Sequence, residues 1–125
     1  MMRNIIVFAS FLVLVSCKQE PQVTSDQVVG AWEVVGAERD GKETETLNGA
    51  YFEFSDNGTV TSNYLGEEET SLYSLEASSI TQTRPDQSHV NFNVERLGLD
   101  TMVMTASIRN IPFRFVMKKI DQDPD

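Results

Sequence analysis

The clearest structural signal in this chain is residues 51–64, YFEFSDNGTVTSNY. Phe52 and Phe54 alternate with other side chains, and this period of two is typical of a half-buried β-strand. The DNG triplet at residues 56–58 supplies side chains that tolerate the positive φ angles of a hairpin turn. Residues 59–64 then alternate again, so the stretch predicts two antiparallel strands joined by a tight turn.

Short alternating segments with turn residues between them continue in both directions from this hairpin. The further strand candidates are residues 31–39, 72–76, 79–83, 89–95, 101–106 and 113–119. About eight short strands with turn signals near every ten residues are expected of an antiparallel barrel or a sandwich. One helical turn is predicted just before them, with Ser25 or Asp26 as its N-cap and Gly30 closing it.

The N-terminus has the pattern of a bacterial secretory signal that ends in a cysteine. A basic start is followed by the apolar run Ile5–Val15, which is shorter than the roughly 20 residues that a membrane-spanning helix needs. The sequence Leu14-Val15-Ser16-Cys17 resembles the lipobox of bacterial lipoproteins, whose cysteine receives fatty acyl chains such as palmitate. Cys17 is the only cysteine, so an internal disulfide is excluded. The alternatives are an ordinary signal with a chance cysteine and an uncleaved anchor.

These features predict a signal peptide at residues 1–16, a lipidated tether at 17–24, one folded domain at 25–120 and an acidic tail at 121–125. No aspartate follows Cys17, so we expect the outer membrane as the destination. The periplasmic face and the cell surface both remain open, because Lys18-Gln19-Glu20 only partly resembles a surface-export signal.

Charge and residue inventory exclude several functions. The chain has 10 Lys and Arg against 19 Asp and Glu, and a net charge of −9 argues against nucleic-acid binding. His89 is the only histidine and lies on the polar side of its strand, so a histidine metal site is excluded. The sequence has no G-x-S-x-G motif for a catalytic serine, which only His89 could activate. No cofactor motif is present. We therefore expect no enzymatic activity.

Two further segments have a plain interpretation. Glu67–Glu69 are expected in a solvated loop, and Asp100-Thr101-Met102 is either a strand start or a bacterial O-glycosylation sequon.

The order of several motifs resembles the small lipocalin-like domains of bacterial lipoproteins. Gly30-Ala31-Trp32 matches the G-x-W of the first lipocalin strand, and residues 52–59 match a Phe-x-Phe strand running into an Asp-Asn-Gly-Thr turn. A late strand–turn–strand rich in Leu and Met and a closing strand that ends in basic residues follow, here residues 94–104 and 113–119. The resemblance implies an all-β, eight-stranded antiparallel barrel. It also implies that Trp32 packs across the barrel floor beneath a cation, which Arg114 or Lys119 could supply.

Methionine and phenylalanine dominate the predicted inner face of the last three strands. This face comprises Phe92, Val94, Met102, Met104, Phe113, Phe115 and Met117. It is either the core itself or an adaptable lining for a flexible apolar ligand. The first hypothesis for function is a membrane-anchored, non-enzymatic binding module for a small apolar or amphipathic ligand, contacted by Phe92, Met102, Met104, Phe113 and Phe115. The alternative is a filled barrel whose acidic loops contact a basic protein partner. A cavity of about 300 Å³ or more would favour the binding module.

Overall fold

The computed structural model describes residues 22–120, which contain one helical turn and nine strands. In chain order the elements are α1 (Ser25–Val28), β1 (Gly30–Arg39), β2 (Lys42–Thr44), β3 (Tyr51–Phe54), β4 (Thr59–Ser62), β5 (Glu69–Glu76), β6 (Ser79–Thr83), β7 (His89–Leu97), β8 (Thr101–Ile108) and β9 (Ile111–Lys119).

The strands form a closed antiparallel barrel. From β3 to β9 each strand pairs with the next along the chain, and β1 pairs with both β3 and β9, which closes the sheet. The predicted eight-stranded antiparallel barrel is therefore confirmed. One strand was missed: β2 pairs with the last three residues of β1, whereas β3 pairs with its first four. The missed strand is the polar triplet Lys-Glu-Thr, which has no apolar alternation to mark it.

Turn chemistry explains why the first two hairpins form. Asp40 and Gly41 both have positive φ, at 53° and 78°, as the tight turn between β1 and β2 requires. Gly58 has a φ of 87° in the turn between β3 and β4. There the Asn57 side chain accepts hydrogen bonds from the backbone N–H of Thr59 at 3.2 Å and from its hydroxyl at 2.8 Å. The Asp-Asn-Gly-Thr signal thus fixes the register of the hairpin.

Two register shifts help to bend the sheet into a barrel. The pairing of β1 with β9 slips between Val34 and Gly36, and that of β7 with β8 slips between Val94 and Arg96. Such bulges bend the strand that carries them and increase its local twist. Both lie on long strands, of ten residues for β1 and nine for β7.

Inward-facing side chains fill the barrel over most of its length. The buried cluster is Val23, Val28, Trp32, Val34, Ala37, Ala50, Phe52, Phe54, Val60, Tyr64, Ile80, Val90, Phe92, Val94, Met102, Met104, Ala106, Phe115 and Met117. The methionine-phenylalanine face is therefore the wall of a packed interior, which agrees with the small diameter of an eight-stranded barrel.

The two ends of the barrel differ. The segment before β1 covers one end, which we call the closed end: Val28 is fully buried, and the N–H of Val23 donates to the carbonyl of Ala77 at 2.9 Å. The opposite end, which we call the mouth, is surrounded by the β1–β2 and β8–β9 turns and by the β2–β3, β4–β5 and β6–β7 loops. The tail of β9 returns to the closed end, where Lys119 pairs with Trp32.

The N-terminal boundary differs from the prediction in three details. The N-cap of α1 is Thr24 instead of Ser25 or Asp26, and its backbone N–H donates to Oε1 of Gln27 at 3.1 Å. The helix ends at Val28, because Gly30 already pairs in β1. Val23 is buried although it falls in the predicted tether, since an apolar side chain is needed to cover the closed end.

Several predictions concern residues outside the described range of 22–120. These are the signal peptide, the lipidation of Cys17, most of the tether and the acidic tail at 121–125. Between Gln22 and Ile120 the structure contains no helix with the length and apolar character that crossing a membrane requires.

Candidate ligand-binding site

A cavity of about 380 Å³ opens at the mouth of the barrel. Its walls come from the end of β1, the β2–β3 and β4–β5 loops and the β8–β9 hairpin. The lining residues are Arg39, Thr46, Leu47, Tyr64, Leu65, Gly66, Ile108, Arg109, Ile111, Phe113 and Phe115. Small-molecule pockets occupy about 300–1,000 Å³ and are lined mainly by apolar and aromatic side chains with a few polar groups. The mouth cavity meets both conditions, at the lower end of the size range.

Aromatic rings form the floor of this cavity. The Tyr64 ring stacks on Phe52 with centroids 4.9 Å apart and meets Phe115 edge-on at 5.9 Å. Phe92 closes the same cluster, 5.7 Å from Phe52 and 5.8 Å from Tyr64. Edge-to-face and offset arrangements of this kind add stability beyond the buried area alone. A molecule that enters the mouth therefore meets ring faces and edges, and a packed interior below them.

A polar network holds the Tyr64 ring in place. The Tyr64 hydroxyl donates to Oε1 of Gln82 at 2.5 Å, and Nε2 of Gln82 donates to Oγ of Ser71 at 3.0 Å. Gln82 is only 1% exposed, and every buried polar side-chain atom in the described part of the chain has a partner. Burial raises the pKa of Tyr64 well above its ordinary value, so the hydroxyl stays protonated as a donor. The network thus makes the floor rigid without needing a ligand.

An ion pair lies close to this network. Nε and Nη2 of Arg84 donate to the two carboxylate oxygens of Glu69 at 2.8 and 3.0 Å, a two-pronged geometry that arginine favours. These hydrogen bonds hold the pKa of Glu69 below its ordinary value. The expectation that Glu69 lies in a solvated loop was wrong, because it is the first residue of β5 and pairs with Ser62 of β4. Its neighbours Glu67 and Glu68 are exposed, as predicted.

The predicted ligand-contacting residues divide into two groups. Phe113 and Phe115 line the mouth cavity. Phe92, Met102 and Met104 do not line it; they lie deeper in the barrel, and both methionines are fully buried. Strands β8 and β9 run between the closed end and the mouth, so inward-facing residues of one strand lie at different depths in the barrel. Sequence alternation identified the inward side of these strands but not the depth of each residue.

The G-x-W segment forms part of the closed end. Trp32 is fully buried, and its indole Nε1–H donates to the carbonyl of Val28 at 2.9 Å. Nζ of Lys119 lies 5.6 Å from the centre of the Trp32 ring, within the range of a cation–π contact. Gly30 has a φ of 134°, and a Cβ at this position would lie 2.8 Å from Cε of Lys119. The glycine therefore leaves room for the lysine that packs against the tryptophan.

Of the two candidate cations for Trp32, the structure selects Lys119 and excludes Arg114. The Arg114 side chain lies on the outer face of β9, where Nε contacts Glu95 at 3.2 Å and Nη1 contacts Glu38 at 3.8 Å. The reason is the period of two: Arg114 alternates with the inward Phe113 and Phe115, so it faces away from the core.

A second cavity, of about 320 Å³, lies on the outside of the barrel between β1, β9 and the β2–β3 loop. Its floor includes Val35, which is 48% exposed, and Val116. Carboxylates of Glu38, Glu43 and Glu45 are part of its lining. The lining of this outer groove also includes Arg114, so its walls carry three glutamates and one arginine around a small apolar floor. The lining of the mouth contains two arginines and no carboxylate.

The described residues offer little for catalysis. His89 is exposed, as predicted. Residues 22–120 contain no group of three or more His, Cys, Asp or Glu side chains placed to hold a metal ion. Thr101 begins β8 and its hydroxyl donates to the neighbouring Asp100 at 3.2 Å. The mouth has an apolar floor and charged groups at its rim.

Sequence reasoning missed the polar interior and most of the mouth. Ser71 and Gln82 face inward on β5 and β6, while the apolar Leu72 is 61% exposed. The polarity of β5 is inverted only at this point, because Tyr73 and Leu75 on the same inward side are apolar. No pattern could therefore have marked Ser71 and Gln82 as buried. Arg39 and Arg109 were detectable only as basic residues beside turns, which is a weak signal.

Comparison with known proteins supports the fold. Neither the protein-family models nor the curated proteins contain a match to this chain. Among solved structures, the chain is similar to an uncharacterized protein from Bacteroides eggerthii DSM 20697, with a TM-score of 0.56 and 18% sequence identity. The match covers 74% of this chain and 98% of that one. At this identity the similarity shows a shared fold.

Proposed function

We propose that this protein is a lipid-anchored, lipocalin-like binding module that holds a small apolar or amphipathic ligand at the mouth of its barrel. The observation that carries the proposal is the mouth cavity of about 380 Å³, with its aromatic floor and aliphatic walls. The cavity exceeds the lower size of small-molecule pockets, about 300 Å³. Because the interior beneath is packed, the ligand is a compact molecule that the mouth partly encloses.

The floor is prepared for binding before a ligand arrives. Tyr64 is held by the buried Gln82 and stacked on Phe52, so no side chain of the floor has to be ordered during binding. Ordering a rotamer-rich side chain costs about 0.5–1.5 kcal/mol, and a preorganised pocket avoids that cost. This rigidity supports a receptor role over a purely structural one.

The proposed membrane anchor is consistent with a ligand site at the mouth of the barrel. The lipobox-like signature places the acyl chains on Cys17, and two or three chains make such an attachment effectively permanent. The described chain meets the barrel at the closed end through Val23 and Val28. An anchor at Cys17 therefore leaves the mouth at the end of the barrel away from the tether. The proposed location is the outer membrane, on its periplasmic face or at the cell surface.

Titration with the neutral fluorescent probe N-phenyl-1-naphthylamine tests the proposal. We expect one saturable site whose affinity falls when Ile108→Trp fills the cavity. Leu72→Trp is the matched control, because Leu72 is an exposed residue on the outside of the barrel and does not line the mouth. A wild-type protein that enhances the fluorescence of neither this probe nor its anionic analogue anilinonaphthalene sulfonate would contradict the proposal. If the probe binds, native mass spectrometry of protein purified from its own host would identify the natural ligand.

A second candidate function is supported by the outer groove. In this alternative the packed barrel is a scaffold, and Glu38, Glu43 and Glu45 contact a basic protein partner. The net charge of −9 would accelerate such an encounter. Chemical crosslinking in the host cell tests it: Glu43→Lys with Glu45→Lys should remove a crosslinked basic partner, and Glu67→Lys with Glu68→Lys should not. Loss of the same partner in the Ile108→Trp variant would instead assign it to the mouth.

A further inference from the structure

Two arginines at the mouth have no ion-pair partner within the barrel. Arg39 ends β1 and Arg109 lies in the β8–β9 turn, and both side chains are exposed and line the mouth cavity. Among residues 22–120, the ion pairs within 4.0 Å involve Arg84 and Arg114 but neither Arg39 nor Arg109. Both guanidinium groups are therefore available to a bound molecule.

The position of Arg109 is unusual for its residue type. Arg109 and Asn110 form the tight turn between β8 and β9 with φ angles of 54° and 65°. Both central positions of such a turn favour Asn, Asp or Gly, as the Asp40-Gly41 turn of this chain illustrates. An arginine with positive φ is uncommon, and strained backbone that the surrounding structure holds in place clusters at functional sites. Here the turn places a long cationic side chain at the edge of the cavity.

The geometry points to a singly charged anionic amphipath as the ligand, with its apolar body on the Tyr64–Phe115 floor and its charged head between Arg39 and Arg109. This inference rests on the proposed function and specifies the ligand class of the same site. The Tyr64 hydroxyl is already engaged with Gln82, so the floor presents rings to the ligand and polar recognition is left to the rim. Planar guanidinium groups match carboxylate, sulfonate or phosphate oxygens better than an ammonium does.

The charge of the whole chain restricts the anion further. A net charge of −9 repels a polyanion such as a nucleic acid, because the repulsion grows with every charge the partner carries. A small molecule with a single negative charge experiences little of that repulsion and gains both arginine contacts at short range. The size of the cavity, about 380 Å³, also favours one compact ligand over a long polymer.

Two probes with the same aromatic skeleton test the inference on the full chain. Anilinonaphthalene sulfonate carries one sulfonate, and N-phenyl-1-naphthylamine is the related neutral molecule. The wild type should bind the sulfonate more tightly. In the Arg39→Gln/Arg109→Gln variant the sulfonate affinity should fall about fivefold or more, as expected for two exposed charge pairs, whereas the affinity for the neutral probe should change less than twofold.

Arg96→Gln is the matched control, because Arg96 is exposed near the closed end and pairs with Val103 of β8. It should leave the preference for the sulfonate unchanged, and added salt should reduce that preference in the wild type. Near-ultraviolet circular dichroism and a cooperative melt ensure that the sulfonate probe reports a folded barrel. Equal affinity of the wild type for both probes, or a preference that survives in the double variant, would overturn the inference and leave the proposed function intact. Binding of neither probe would overturn both.

Discussion

At the scale of single residues, Trp32 links the sequence signature to the closed end of the barrel. It is fully buried, donates to the carbonyl of Val28 and carries Lys119 over its ring. One residue therefore joins the helical turn, the first strand and the last strand. Gly30 belongs to the same unit, since its missing side chain makes room for Lys119.

Replacement of Trp32 by alanine should destabilise the domain severely. Truncation of a buried tryptophan costs about 3–5 kcal/mol, a large part of the 5–15 kcal/mol that typical domains have. Chemical denaturation monitored by far-ultraviolet circular dichroism measures the loss. Leu72→Ala is the control, because Leu72 is 61% exposed and its truncation should change stability by no more than about 0.5 kcal/mol. A Trp32→Ala variant that melts like the wild type would show that the G-x-W similarity is accidental.

The ion pair of Glu69 with Arg84 should make the stability of the barrel depend on pH. Its pKa is lowered in the folded state by Arg84, so the ion pair stabilises the fold fully above the ordinary glutamate pKa and loses this effect as pH falls through the folded value. Glu69→Gln should therefore be less stable than the wild type at pH 7, by about 1 kcal/mol or less, and the difference should shrink below pH about 4.

Denaturation of both proteins across this pH range measures the effect. Glu67→Gln removes the same charge from an exposed position and should show no comparable trend. A difference between wild type and Glu69→Gln that stays constant from pH 7 to pH 3 would contradict the account.

At the scale of elements, β8 passes from the packed interior to the mouth. Met104 is fully buried in the middle of the strand, whereas Ile108 at its end lines the cavity. The two residues face the same side of the strand. Substitutions at Met104 and Ile108 therefore compare a packed position with a position that faces the cavity on one strand.

Met104→Trp should cost about 1–3 kcal/mol, because overpacking a well-filled core forces neighbours out of position. Ile108→Trp should cost clearly less, since the added ring can extend into the mouth cavity. Thermal melting of the two variants is the measurement. Equal destabilisation would mean that the mouth is as tightly packed as the interior, and the binding-module hypothesis would then lose its pocket.

The strands that carry regular alternation were predictable from the sequence, and the irregular ones were not. Phe52 with Phe54 and Val90 with Phe92 mark their strands because burial on one face leaves a period of two. Closure of the barrel through the pairing of β1 with β9 came from the family resemblance, since periodicity alone leaves a sandwich equally open.

Apart from Phe113 and Phe115, the mouth could not be derived in the same way, because its residues lie in loops, in a turn or at strand ends. Leu47 and Leu65 lie between strands, and nothing local shows that they meet across a cavity. Gln82 is buried only because Tyr64 and Ser71 satisfy its amide, a partnership between two strands and a loop whose residues lie 18 and 11 positions from Gln82 in sequence. Such contacts depend on the register of the whole sheet.

At the scale of the whole molecule, the proposed membrane anchor and the proposed ligand site belong to opposite ends of one small barrel. Cys17→Ser should release the chain from the membrane fraction or stall its processing, because the thiol is the only site for the proposed acyl chains. Metabolic labelling with an alkyne fatty acid, followed by fractionation, measures both effects. Absence of label on the wild type would contradict the anchor.

The most direct test of the central claim is a heteronuclear NMR titration of the folded chain with N-phenyl-1-naphthylamine. The account predicts saturable shifts at Leu65, Ile108 and Phe113 around the mouth. The indole N–H of Trp32, the only tryptophan, should stay unchanged as a reference at the closed end. Shifts confined to the outer groove, or no shifts with either this probe or anilinonaphthalene sulfonate at saturation, would contradict the claim that the mouth of the barrel is a binding site.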